Sequence, residues 1–161
     1  MLTKLICLVV IGSMLAVAWQ GTAAAPSGSQ AAEHPQGIEG QVVALEGDFM
    51  PGPVVPGQLP RGTKKPLSVP VHVFRGKIEV RERPDPKHPA LLAVVKSDKE
   101  GKFRVPLPPG EYTVVAEIGG KLYLNIFEFD ATSRKSVWPT VVVEPKKWSR
   151  WVIEDTSKAA F

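Results

Sequence analysis

The sequence predicts an all-β fold, a seven- or eight-stranded antiparallel sandwich. Three observations predict it. Apolar and polar residues alternate with period two on both sides of a Pro-Pro-Gly turn, with Phe103, Val105 and Leu107 before it and Tyr112, Val114, Ala116 and Ile118 after it. That is the pattern of a hairpin with one buried face. Further short β-branched runs recur between Gly- and Pro-rich turns, at the spacing of a sandwich. Beyond the first residues no stretch carries an apolar period of 3.6, so no amphipathic helix is expected.

The elements follow in order. Lys4 is the only charge before Pro26; Leu5 to Trp19 is an apolar run and Ala23-Ala24-Ala25 supplies small residues. A positive start, an apolar middle and an A-x-A end describe a cleaved signal peptide over residues 1–25. The run is short for a membrane span, which needs about 20 apolar residues; an uncleaved N-terminal anchor is the alternative, and the only route to the membrane. The protein is therefore expected to be secreted or periplasmic. Cleavage would remove Cys7, the single cysteine, and with it any disulfide framework, thiolate metal site or cysteine nucleophile. Residues 26–36, rich in Ser, Gly, Ala and Gln, read as a flexible linker. The sandwich domain is expected over 37–155, and 156–161 as a frayed tail.

Within the domain, Ile38, Val42 and Ala44 share one parity, with Gly40 between them as a candidate bulge. Residues 46–67 hold Gly47, Gly52, Gly57 and Gly62 among Pro51, Pro53, Pro56, Pro60 and Pro66. Prolines remove ladder donors, so this stretch reads as a long loop. Its Phe49, Met50, Val54, Val55 and Leu59 would either cover one end of the core or display a binding surface. Val69, Val71 and Val73 make a strand that Pro70 assigns to an edge, and Ile78 and Val80 briefly continue it. Leu91 to Val95 is almost continuously apolar, as for a strand buried on both faces or a brief β segment before the hairpin. Asp98 to Gly101 is a turn. Lys121 to Phe129 is apolar on both parities, as in a central or bulged strand. Val137 to Val143 is β-branched, and Trp148 to Ile153 closes the pattern beside the first or the last long strand.

The segments Gly37 to Val42, Val69 to Phe74, Ser97-Asp98 to Gly101-Lys102-Phe103, and Leu107-Pro108-Pro109-Gly110-Glu111-Tyr112-Thr113-Val114 resemble the carboxypeptidase regulatory-like domain family. This resemblance covers roughly residues 37–143 and implies a transthyretin-like (prealbumin-like) sandwich. It implies an accessory, adhesive or scaffold role rather than catalysis. The Gly/Pro-rich loop and the Trp-rich end depart from the usual compact domain. Two enzymatic relatives of such sandwiches fail by residue. A hydroxyisourate hydrolase would end in a Tyr-Arg-Gly-Ser type motif, whereas this chain ends Lys158-Ala159-Ala160-Phe161; an intradiol dioxygenase needs two Tyr and two His on iron, and the only tyrosines are Tyr112, in the structural turn, and Tyr123.

No residue pattern calls for a cofactor, a metal or covalent catalysis. His34, His72 and His88 share no close ligand spacing. Asp98 and Glu100 are too few for calcium, which takes six to eight oxygens. No serine has a G-x-S-x-G context. The formal net charge of +4 suits a solvated surface and gives no reason to expect nucleic acid. The aromatic residues are the better candidates. Trp138, Trp148 and Trp151 cluster near the C-terminus with Tyr123 on a neighbouring strand, and Lys147 and Arg150 flank the last two tryptophans. Indoles on a sheet face either stack on sugars, anchor a protein interface or close the core. With Phe49 and Met50 of the long loop, these residues form the candidate binding surface. The function expected is a non-enzymatic accessory, scaffold or protein-interaction module of the cell envelope or exterior. A small carbohydrate-binding module and an uncharacterised hydrolase are the alternatives.

Overall fold

The computed structural model describes residues 36–52, 57 and 61–161. The expected signal peptide, residues 26–35 of the linker, and Val54, Val55 and Leu59 lie outside the described residues. The described chain is all-β: β1 (Gly37–Asp48), β2 (Gly62–Pro66), β3 (Pro70–Arg75), β4 (Leu91–Lys96), β5 (Lys102–Pro106), β6 (Gly110–Ile118), β7 (Lys121–Tyr123), β8 (Glu128–Asp130), β9 (Lys135–Val137), β10 (Val141–Val143) and β11 (Trp148–Ala160).

Two sheets form the sandwich. In the first, β11 runs beside β1, and the other side of β1 is shared by β5, against Gly37–Gln41, and β2, against Val43–Gly47. In the second, the order is β10-β6-β3-β4, and β7 shares with β10 one side of β6. Ile38, Val42, Phe103, Val105 and Ile153 of the first sheet share one buried cluster with Val71, Val73, Val114, Ala116, Val141 and Val143 of the second. Each of these side chains larger than alanine contributes about 1.5–3 kcal/mol on burial, and in the absence of disulfides this cluster holds the sheets together.

The opposite face of the second sheet is covered too. Phe74, Thr113 and Val115 point there and are fully buried. Ile78, Leu124 and Trp138 belong to their cluster, and Thr113 Oγ1 donates to Gly76 O at 2.7 Å. The hairpin β8–β9, bridged to Glu79 through Val137, completes this third layer. The eleven strands of the described residues exceed the seven or eight expected because β2, Gly-Thr-Lys-Lys-Pro, holds no apolar residue to alternate and β8 and β9 have three residues each.

The two strands of the expected hairpin form where the alternation placed them, but they do not pair with each other: β5 joins β1 in the first sheet and β6 joins the second, so the Pro-Pro-Gly turn crosses between sheets. The closing strand lies beside the first. Several expectations need correction. The sandwich is not purely antiparallel, since β11 pairs parallel with β1 from Gly37↔Trp148 to Asp48↔Ala160. That same pairing orders the expected tail, with Phe49 N–H bonding Ala160 O at 2.8 Å. Gln36 is not linker: it is buried, its carbonyl accepts from Leu107 N–H at 3.2 Å and its side chain from Lys146 N–H at 3.1 Å. Residues 46–67 are not all loop, because both ends pair as β1 and β2 and the prolines concentrate between them. Pro70 is not at an edge; it is the first residue of the interior β3, where a missing N–H is tolerated. Leu91–Val95 is instead the edge strand β4, with Leu92 and Val94 exposed. Gly40 pairs regularly with Trp151 and Phe103. It is required because a Cβ there would come within 2.6 Å of the Phe103 ring.

Candidate functional site

The eight candidate residues do not converge on one surface. Trp138 is withdrawn from it: the residue is 2% exposed and joins the third-layer core, its N–H donating to Ile78 O at 3.1 Å. Trp151 points between the sheets, partly buried against the core, and its Nε1–H donates to Val114 O at 3.1 Å. Tyr123 lies at the rim, where its hydroxyl accepts Thr156 N–H at 3.1 Å and meets Thr156 Oγ1 at 2.9 Å. Phe49 stacks on Phe161 with centroids 5.8 Å apart. Met50 is exposed, its N–H bonded to Asp48 Oδ1 and its carbonyl to Arg61, both at 2.8 Å. Lys147 pairs with Glu144 at 2.5 Å; this hydrogen bond raises the lysine's pKa and lowers the carboxylate's.

Trp148 and Arg150 do come together, on the outer face of the first sheet. Trp148 occupies the space left by Gly37, where a Cβ would lie 2.7 Å from its ring. The Arg104 guanidinium sits 3.8 Å from the ring centroid. Arg150 is 89% exposed and lies 3.6 Å from Glu39, which Arg104 approaches to 4.0 Å from the other side. A shallow groove of about 590 Å³ runs here between Gln41, Lys102, Arg104, Arg150 and Val152. Asp98 borders it, but its Oδ1 is occupied by Lys102 N–H at 2.7 Å, and Gln41 Nε2 donates to Glu100 O at 2.8 Å. The groove is a mixed-charge surface: its aromatic residues, Phe103 and Trp151, belong to the core side of the sheet, and the Trp148 ring nearby is covered by Arg104.

A second surface lies on the third layer, where Lys121–Phe129 proves to be two short strands rather than one. Ile126 is 48% exposed, and Phe127 and Phe129 are each 68% exposed. Phe129 lies opposite Ser136, and Val80, 42% exposed, bonds through its N–H to Ser136 O at 2.9 Å. The pairing Glu79↔Val137 puts Val80, Ser136 and Phe129 in one row on the solvent face, while Val137 of the opposite parity is buried. Phe127 lies just before β8. Two benzyl groups thus stand in water beside a valine and an isoleucine. The signal for them was in the sequence: a stretch apolar on both parities cannot send every side chain into one core face, and here Leu122 and Leu124 are buried while Ile126, Phe127 and Phe129 stay exposed.

The histidines and acids serve structure. His72, buried, holds Glu117 at 2.9 Å, and His88 packs edge-on to Phe74 at 5.3 Å and accepts Ala90 N–H at 3.2 Å. His34 lies outside the described residues. Among the described residues no group of three or more His, Cys, Asp and Glu side chains is placed to hold a metal ion. The carboxylates with displaced titration all move down. Glu46 does so through its hydrogen bond to Lys65, Asp130 through Thr132 and Ser133 N–H, and Glu144 through Lys147.

No family model matches this chain, and none of the curated proteins matches it. Among solved structures, the chain is similar to GBS52, the minor pilin of Streptococcus agalactiae, at 18% identity and a TM-score of 0.37. That match covers 73% of this chain and 42% of the pilin chain.

Proposed function

We propose that this protein is an exported, non-enzymatic β-sandwich of the carboxypeptidase regulatory-like, transthyretin-like type. It acts as an accessory or scaffold module by binding another protein in the cell envelope or outside the cell. The observation that carries this reading is the set of exposed apolar side chains Val80, Ile126, Phe127 and Phe129 on and beside the β8–β9 hairpin, the phenylalanines 68% exposed. Contiguous exposed apolar groups mark interaction sites, and aromatic side chains are the usual anchors of protein interfaces. The motif supports the family reading: in the Leu107 to Tyr112 turn the Tyr112 hydroxyl donates to Pro108 O at 2.8 Å.

Two further observations favour this reading over its rivals. A glycan module needs exposed indole faces, and here one candidate indole is in the core, one is tied to Val114 and one lies under Arg104. A hydrolase needs an acid or base tuned toward neutrality, and the carboxylates that shift do so in the opposite direction.

The test is co-purification from the envelope fraction with wild type and a Phe127→Ser/Phe129→Ser variant. Both rings are exposed, so folding stability should change by less than about 0.5 kcal/mol. Affinity for the captured protein should fall by about 2 kcal/mol or more, about thirtyfold. A partner that binds both forms equally would remove this surface from the account, and a soluble glycan that competes for binding would favour the sugar reading.

A further inference from the structure

β11 has a neighbour on one side only among the described residues. The phase of its ladder with β1 follows from one bond: Gly37 N–H donates to Lys147 O. In a parallel ladder alternate residues face the neighbour. Lys147 and the odd-numbered residues from Ser149 to Asp155, where the register shifts, therefore turn their backbone groups toward β1. Val42 N–H, which bonds Gly101 O at 2.8 Å on the far side of β1, fits the same phase. Trp148, Arg150, Val152 and Glu154 must then direct their N–H and C=O groups to the open side. The next such group, Thr156 N–H, is capped by the Tyr123 hydroxyl at 3.1 Å. The open window is thus bounded at its C-terminal end by Tyr123.

The other edge of this sheet is guarded differently. β2 carries Lys64 and Lys65, both exposed, and charged lysines on a short strand discourage strand addition. The β11 window has a different pattern. Arg150, Val152 and Glu154 sit on the same outer face, with Val152 54% exposed at the centre and opposite charges two residues to either side. That sequence is complementary to itself when reversed.

We propose that two copies of this chain pair antiparallel through β11, about a two-fold axis at Val152. This goes beyond the apolar surface on the third layer and does not use it. In the pair, Val152 faces Val152 of the second copy, and each Arg150 faces the other copy's Glu154. Directly opposite side chains on one face of an antiparallel pair are within contact distance. The open N–H and C=O groups of residues 150, 152 and 154 meet their own counterparts. A closed, isologous contact of this kind makes a dimer and does not propagate into a fibre. Its result is one continuous sheet that places the two Arg104–Trp148 faces on a common side.

The experiment is sedimentation equilibrium of the protein purified as the cell processes it. Wild type should show a concentration-dependent dimer. Arg150→Glu or Glu154→Arg alone places like charges opposite each other twice and should weaken the dimer about tenfold. The double variant Arg150→Glu/Glu154→Arg restores the complementary pattern and should recover most of that loss, although it loses the internal contacts to both Glu39 and Lys64 where each single variant loses one. Val152→Pro removes an N–H that points away from β1, so the monomer should stay folded by circular dichroism while the dimer is lost. A wild type that stays monomeric up to about 1 mM, a double variant no tighter than the singles, or a dimer unchanged in Val152→Pro would overturn the proposal. The co-purification through Phe127 and Phe129 reads out independently, so each idea can fail without the other.

Discussion

Ser97→Ala is the substitution whose cost the structure fixes most closely. Ser97 follows β4 and opens the turn that ends at Gly101, and it is only 2% exposed. Its Oγ accepts Val69 N–H at 2.9 Å and donates to Leu67 O at 2.8 Å, with Val69 O also within 3.1 Å. One hydroxyl therefore satisfies the backbone entering β3, and so ties the second sheet to the turn that borders the groove of the first. Alanine removes the acceptor without replacing it. Val69 N–H, partly buried, then bears its desolvation unrelieved, and Leu67 O loses a donor. A buried group left unsatisfied costs about 1–3 kcal/mol; with both affected, the loss should be about 2–3 kcal/mol. Ser68, one residue after Leu67, is the control. Its exposed hydroxyl donates to Ser97 O at 2.8 Å, and Ser68→Ala should cost about 0.5–1 kcal/mol. Urea unfolding gives both numbers, and an unchanged m-value would show that the denatured state is not responsible. A Ser97→Ala protein within about 0.5 kcal/mol of wild type, or one more stable than Ser68→Ala, would show that the Ser97 hydroxyl does not satisfy the backbone entering β3.

Other substitutions test neighbouring parts of the account. Gly40→Ala puts a Cβ 2.0 Å from Trp151 O and against the Phe103 ring. Because backbone must shift, it should cost about 3 kcal/mol or more in urea unfolding. Glu46 has a pKa held below its ordinary 4.5, first by its hydrogen bond to Lys65. Its contribution to stability is therefore present above 4.5 and lost as pH falls through the lowered value in the folded protein. The melting-temperature difference between wild type and Glu46→Gln should be largest near neutrality and vanish in acid. Arg104→Ala uncovers the Trp148 ring and should increase acrylamide quenching of the indole emission while costing about 0.5–1 kcal/mol in stability.

The sandwich was legible because its code is local. Phe103, Val105, Tyr112 and Val114 alternate, and Gly101, with φ of +74°, closes the turn before them; these facts need no knowledge of the rest of the chain. The pairing of β11 with β1 is a contact between opposite ends of the domain, and no local pattern encodes its parallel sense. The third layer was hidden for a related reason. Ile78, Leu124 and Trp138 come from three separate connections between strands, and only assembly puts them in one buried cluster with Phe74 and Val115. That cluster explains why Trp138 is core, and why Phe127 and Phe129, from an apolar stretch read as interior, stand outside it. Gly37 and Arg104, which between them accommodate Trp148, could not be linked to it by spacing, since they sit on three different strands.

The most direct test of the proposed contact surface is a photo-crosslinking phenylalanine analogue placed in turn at Phe127, at Phe129 and, as a control on the other face of the sandwich, at Gln41, in the protein at its native site in the cell. The account predicts a protein adduct of defined mass from Phe127 and Phe129 and none from Gln41. An adduct from Gln41 alone would move the contact to the groove beside Arg104 and Trp148, and contradict a binding role for the exposed phenylalanines.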